Sequence, residues 1–208
     1  MWQIVTAGGW LMLPIIACSV IALAIIAERF YTLRDNKVLP ANLVADVWRL
    51  ASTKQLTEEK VREYQQGSPL GRVVAAGLLN RTKDRDAMKE AIEEVGGQVA
   101  HELERYLNAL GTIAAITPLL GLLGTVVGMI KVFTNITTVG VGNPAQLAGG
   151  ISQALITTAS GLMIAIPALI FYRYFRGKVD GLVVDMEKES LKLVDVLEKR
   201  TSRSSKAA

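Results

Sequence analysis

The chain has 208 residues, half of them hydrophobic, 6% aromatic and 20% charged, with a formal net charge of +4. That is more apolar surface than a soluble domain of this length needs, so the composition points to a membrane protein. Acids and bases interleave rather than forming a basic patch, which argues against a nucleic-acid partner. The lone cysteine, Cys18, excludes an internal disulfide and a metal site built on thiolates.

Three segments reach the roughly 20 residues needed to cross a bilayer: Gly9 to Ala27, Leu110 to Ile130 and Leu147 to Phe171. The first lacks a basic leader and is longer than the apolar core of a signal peptide, so it reads as a span rather than a cleaved segment. Arg34, Lys37, Arg49 and Lys54 crowd the loop after it, whereas Phe133 to Gln146 carries no charge. The positive-inside rule therefore puts the long loop and the C-terminal tail in the cytoplasm and the N-terminus outside.

Pro40, Gly67-Ser68-Pro69 and Thr82-Lys83-Asp84 divide the long loop into amphipathic stretches, predicting short helices. Met88, Ile92, Val95, Val99, Leu103 and Leu107 recur at three- and four-residue steps with no strong breaker behind them. That pattern predicts one helix from about Asp84 to Phe133, roughly 75 Å long. Beyond the third span, Val179, Leu182, Val183, Met186, Leu191, Val194 and Leu197 form another apolar face. The expected organisation is a first span with a short outer N-terminus (1–31), a cytoplasmic helical region (32–108), a second span (109–134), an outer loop (135–146), a third span (147–176) and a cytoplasmic helix and tail (177–208).

Between Glu104 and Asp180 there is no carboxylate, yet the two spans in that stretch carry hydroxyls and an amide. Gly121, Gly124 and Gly128 of the second span have the spacing that lets helices approach closely, and read as packing residues. Pro118 and Pro167 mark bends, each removing a backbone donor. Thr117 and Thr125 lie eight residues apart, close to one face. In the third span Gln153, Thr157 and Ser160 fall at i, i+4 and i+7, with Thr158 beside them, and read as a polar stripe facing a pore or a partner. A threonine here can also satisfy itself on its own helix. Lys131 reads as a snorkelling amine, and Arg173 and Arg176 as basic anchors facing lipid head groups. His101 reads as a packed or solvated histidine. No nucleotide-binding loop, nucleophile elbow or zinc-protease motif is present, so the reading is of a non-enzyme with no metal or other cofactor.

The segments TPLLGLLGTVVGM and GGISQALITTASGLMIAIPALIFYR, with three spans and a large first loop, resemble the ExbB/TolQ/MotA group of proton-channel subunits, closest to ExbB and TolQ. The resemblance implies an all-α protein of the bacterial inner membrane, forming a homopentamer around a central pore lined by the second and third spans. It implies as partners a single-span ExbD- or TolR-like protein carrying a membrane aspartate, and a TonB- or TolA-like transducer. It gives Thr125 and Thr158 the role of facing that aspartate. Many relatives carry a glutamate where this chain has Gln153, so a mechanism in which that position titrates is not implied here. Two other readings stand beside this one: a non-conducting oligomeric scaffold, and a channel that conducts without a partner.

Overall fold

A computed structural model describes residues 8–53, 57–81, 84–140 and 144–206, with side chains at 51, 52, 139, 146 and 196–206 left aside. The chain is all-helical there: α1 (Met12–Thr32), α2 (Asp35–Val38), α3 (Leu43–Ser52), α4 (Glu58–Gly67), α5 (Pro69–Leu79), α6 (Arg85–Leu103), α7 (Leu107–Val139) and α8 (Pro144–Lys206). Three helical stretches are long and apolar enough to cross a membrane: α1, the stretch Arg85–Thr138 to which α7 contributes the apolar part, and α8. Of the breaks expected in the loop, Thr82 and Lys83 lie outside the described residues.

Local chemistry sets several boundaries. The Ser68 hydroxyl accepts from the Gly71 N–H at 3.0 Å, and Pro69 follows at the first helical position, where its missing donor costs nothing. Asp84 caps α6 by accepting from Ala87 N–H at 3.0 Å. Gly140, at φ 76°, ends α7 six residues beyond the expected stop at Phe133.

The long helix expected from Asp84 to Phe133 is broken. Tyr106 sits in the left-handed region at φ 64°, and α7 starts afresh after it. The Glu104 and Arg105 N–H groups bond to the carbonyls of Ala100 and Glu102, closing α6 in a tighter last turn. The Leu103 carbonyl accepts from the Arg29 guanidinium at 2.9 Å. Arg29 is 3% exposed, so this cation is delivered into the interior to satisfy a helix C-terminus. Neither glycine nor proline stands at the break, and the side chain that satisfies the broken end lies 74 residues away in sequence.

The chain forms two compact units. The first takes the described residues up to Glu28 and Tyr106–Tyr174. Its interior is built from Ile15, Ala22, Leu110, Ala114, Val132, Ala154, Ala165 and Ala168. Alanines recur among them, as close helix packing in lipid favours, alongside larger buried side chains that also include Leu11, Met12, Leu107 and Ile113. The second takes Arg29–Arg105 and the chain from Phe175 onwards, with a core of larger aliphatic residues: Leu33, Val47, Val61, Leu70, Leu78, Ile92, Leu182 and Met186. Phe175 is buried edge-on against Phe30, with ring centroids 5.0 Å apart.

Of the stripe on α6, Met88, Ile92, Val99 and Leu103 are buried and Val95 is half-buried. On α8, Val179, Leu182, Met186 and Val194 are buried, but Leu191 is 46% exposed. Ser190 and Leu193 occupy the interior there instead.

Candidate functional site

Within the first unit, α7 and α8 meet along a seam of small residues. A methyl group on Gly121 would lie 2.9 Å from Thr158 Cα and 3.1 Å from the Thr157 carbonyl oxygen, so backbone meets backbone there. A methyl on Gly124 would overlap the Thr157 side chain, one on Gly128 would come within 2.9 Å of Ala154 Cβ, and one on Gly161 within 2.7 Å of the Thr117 carbonyl oxygen. The three glycines read as packing residues thus lie along the contact between α7 and α8 of one chain.

This seam sorts the hydroxyls. Thr117 and Thr157 are 0% and 1% exposed, inside the protomer and out of reach of a second chain in this arrangement. The structure therefore places these two, read as partner-facing, in the packing of α7 on α8. The Thr117 hydroxyl donates to the Ile113 carbonyl at 2.5 Å and that of Thr157 to Ala154 at 2.8 Å, so each is satisfied on its own helix. Proline at 118 removes the donor that Ala114 would otherwise receive in the helix ladder, and Pro118 is half-buried while Pro167 is exposed.

Thr125 and Thr158 lie elsewhere, both half-exposed. The Thr158 hydroxyl crosses from α8 to donate to the Gly121 carbonyl at 2.8 Å. The helix ladder pairs that same carbonyl with the N–H of Thr125, four residues on. The Thr158 hydroxyl and the backbone N–H of Thr125 therefore share one oxygen. Thr125 turns its own hydroxyl to the Leu122 carbonyl at 2.6 Å.

The polar residues of α8 do not form one surface. Thr157 and Thr158 are adjacent, so their side chains diverge by about 100°, and Gln153 is about 140° from Thr158 around the helix. Thr157 packs on Gly124 and lies close to Gly8, and the Gln153 amide lies against Gly9 ahead of α1, where φ is +71°. Gln153 and Ser160 fall within about 20° of each other on that flank, both half-buried. Thr125 and Thr158 thus share one flank of the seam and Gln153 and Ser160 the other, with Thr157 buried in the seam itself. Arg173 and Arg176 are exposed on α8, and Lys131 is exposed on α7.

A separate cavity of about 300 Å³ lies in the second unit among Val73, Ile92, Ala100, Val183 and Met186, with Lys89 and Glu93 beside it. Its wall is mostly carbon, whereas the α7–α8 flank carries two hydroxyls, each bonded to a carbonyl of α7.

An arrangement of neutral hydroxyls in apolar helices can hydrogen-bond water or an acid brought from outside but has no titratable group to relay protons itself. Comparison with known proteins agrees with the sequence resemblance. Residues 65–188 match the MotA/TolQ/ExbB proton channel family. The chain is similar to the ExbB-like protein 1 of Synechocystis sp., with 35% identity over 169 residues, 80% of this chain and 66% of that protein. It is also similar to biopolymer transport protein exbB1 of Vibrio cholerae, with 32% identity covering 77% of this chain and 72% of that one. The Tol-Pal system protein TolQ of Pseudomonas aeruginosa is 27% identical, covering 88% of this chain and 86% of that one.

Proposed function

Because the chain belongs to the MotA/TolQ/ExbB proton channel family, we propose that this multi-pass membrane protein is the channel-forming stator subunit of an ExbB–ExbD or TolQ–TolR type motor. It sits in the bacterial inner membrane with its N-terminus outside, assembles as a homopentamer, and encloses the single span of an ExbD- or TolR-like partner. That partner supplies the acid. Proton motive force, acting on the acid, drives one part against the other, and the work passes to a TonB- or TolA-like protein that serves transport or envelope maintenance. The chain itself forms no covalent intermediate.

The observation that carries this reading is the placing of two hydroxyls on one flank still half-exposed in the protomer, Thr158 bonded across to the Gly121 carbonyl and Thr125 bonded to Leu122. Hydroxyls in hydrocarbon are costly unless partnered, and an ionisable group entering the same low-dielectric site needs polar neighbours. The stretch from 105 to 179 contains no carboxylate, so the titrating group must come from another chain. Gln153 faces the other flank as a neutral amide and takes no part in titration.

The burial of Thr117 and Thr157 in the seam favours a second reading for those two residues alone, in which polar side chains serve assembly, as they would throughout a non-conducting scaffold. Thr125→Val and Thr158→Val separate the two functions. The motor reading expects both variants to co-purify with an ExbD- or TolR-like protein at normal yield and to carry less partner-dependent proton flux. Normal flux with weakened assembly would support the scaffold instead.

A further inference from the structure

A carbonyl oxygen only accepts hydrogen bonds, so the 2.8 Å contact between Thr158 Oγ1 and Gly121 O fixes the direction of the Thr158 proton. The same holds for Thr125, whose proton is committed to Leu122 O at 2.6 Å. Each threonine has one proton to give. As they stand, both hydroxyls therefore turn only lone pairs towards anything that approaches this flank. A protonated carboxyl or a water molecule can donate to them; an ionised carboxylate cannot.

To serve a carboxylate, a hydroxyl must leave its carbonyl. For Thr125 that exchange is local, since its bond lies within α7. For Thr158 it is not: its bond to Gly121 runs from α8 to α7 and so joins the two helices. It also sits where the two backbones are pressed together, with Thr158 Cα 2.9 Å from a methyl built on Gly121. The Gly121 oxygen keeps the Thr125 N–H when Thr158 departs, so neither state strands a buried acceptor.

We infer that Thr158 is a two-position hydrogen-bond donor that reads the protonation state of the acid brought to the seam. With the acid protonated, Thr158 holds the Gly121 carbonyl and accepts from the acid; with the acid ionised, the hydroxyl swings to the carboxylate and the tie between α7 and α8 opens. The switch rests on the motor reading above and adds to it the step by which a charge change reaches helix packing. Thr158 keeps its proton throughout.

The test is the pH dependence of partner-dependent proton flux in liposomes containing the chain and an ExbD- or TolR-like partner, comparing the natural chain with Thr158→Val and Thr158→Ser. Valine cannot donate to the ionised acid, so protonation is favoured and the midpoint pH rises by about one unit, a tenfold change in proton affinity. Serine retains the donor and leaves the midpoint in place. Thr158→Ala replaces valine if the latter fails to assemble. Partner-dependent flux with one midpoint in all variants would overturn the switch while leaving the motor reading intact. Absence of partner-dependent flux in the natural chain would overturn both.

Discussion

Gly124→Ala tests the seam on which the site is built. The added methyl would overlap Thr157, lying 2.6 Å from its Cβ, where comfortable carbon contacts are about 3.5–4.0 Å. Thr157 cannot move aside, being 1% exposed with its hydroxyl held by Ala154 at 2.8 Å. The helices must instead part by about 1 Å, and a gap of that size forfeits a quarter to a half of each dispersion contact along it. Overpacking of this kind costs about 1–3 kcal/mol, and alanine's better helix propensity offsets up to about 1 kcal/mol of it. For a chain of this length, a net loss of about 1–2 kcal/mol lowers Tm by about 2–8 °C. Gly181→Ala is the control: that glycine is exposed on α8 with nothing within 4 Å of its added methyl, so only the propensity gain remains. Thermal unfolding followed by circular dichroism in nanodiscs gives both values. Equal Tm for Gly124→Ala and Gly181→Ala would refute the argument that α7 and α8 pack in the manner described.

Arg29→Met removes the charge-assisted bond to Leu103, worth about 1.5–3 kcal/mol, while relieving a buried cation. Faster amide hydrogen exchange at Glu104 and Arg105 is expected, and unchanged exchange would show that the α6 end holds without its clamp. At Tyr106 the left-handed backbone disfavours an L-residue by about 1–2 kcal/mol, so Tyr106→Gly should be tolerated in thermal unfolding and Tyr106→Val should lower Tm. The Arg72 guanidinium, bonded to both Glu102 oxygens at 2.6 and 2.8 Å, holds that carboxyl below its usual range. A lowered folded value means the pair stabilises above the unfolded value of about 4.3 and loses that contribution as pH falls through the folded one. With Glu102 59% exposed the gain is at most about 1 kcal/mol. Glu102→Gln should remove it at neutral pH and flatten the acid limb of the stability curve; an unchanged limb would contradict this.

The three apolar helices were legible in the sequence because crossing a membrane demands a long uninterrupted run that nothing else in a chain of this size imitates. The break at Tyr106 was not, since apolar spacing passes smoothly from Leu103 to Leu107 and the residue that satisfies the broken end, Arg29, is remote in the sequence. The grouping of Gln153, Thr157 and Ser160 on one flank of α8 follows from helical periodicity, and so does the divergence of Thr158 from them. Which flank packs inward depends on where Gly121 and Gly124 of the other helix lie, and that is tertiary information. Thr158 comes to lie on the same flank as Thr125 because its hydroxyl reaches across to the Gly121 carbonyl, one turn before Thr125 on α7. Leu191, exposed where the apolar stripe on α8 predicted burial, shows the same limit: a stripe fixes a face to within a residue or two, and the neighbouring helix decides whether Ser190 or Leu191 turns inward.

The decisive measurement is proton flux into liposomes containing the purified chain alone, with an ExbD- or TolR-like partner, and with that partner's membrane aspartate changed to asparagine. Flux with the intact partner, and none in the other two preparations, is the result expected of a channel subunit that lacks its own acid. Equal flux from the chain alone would contradict it.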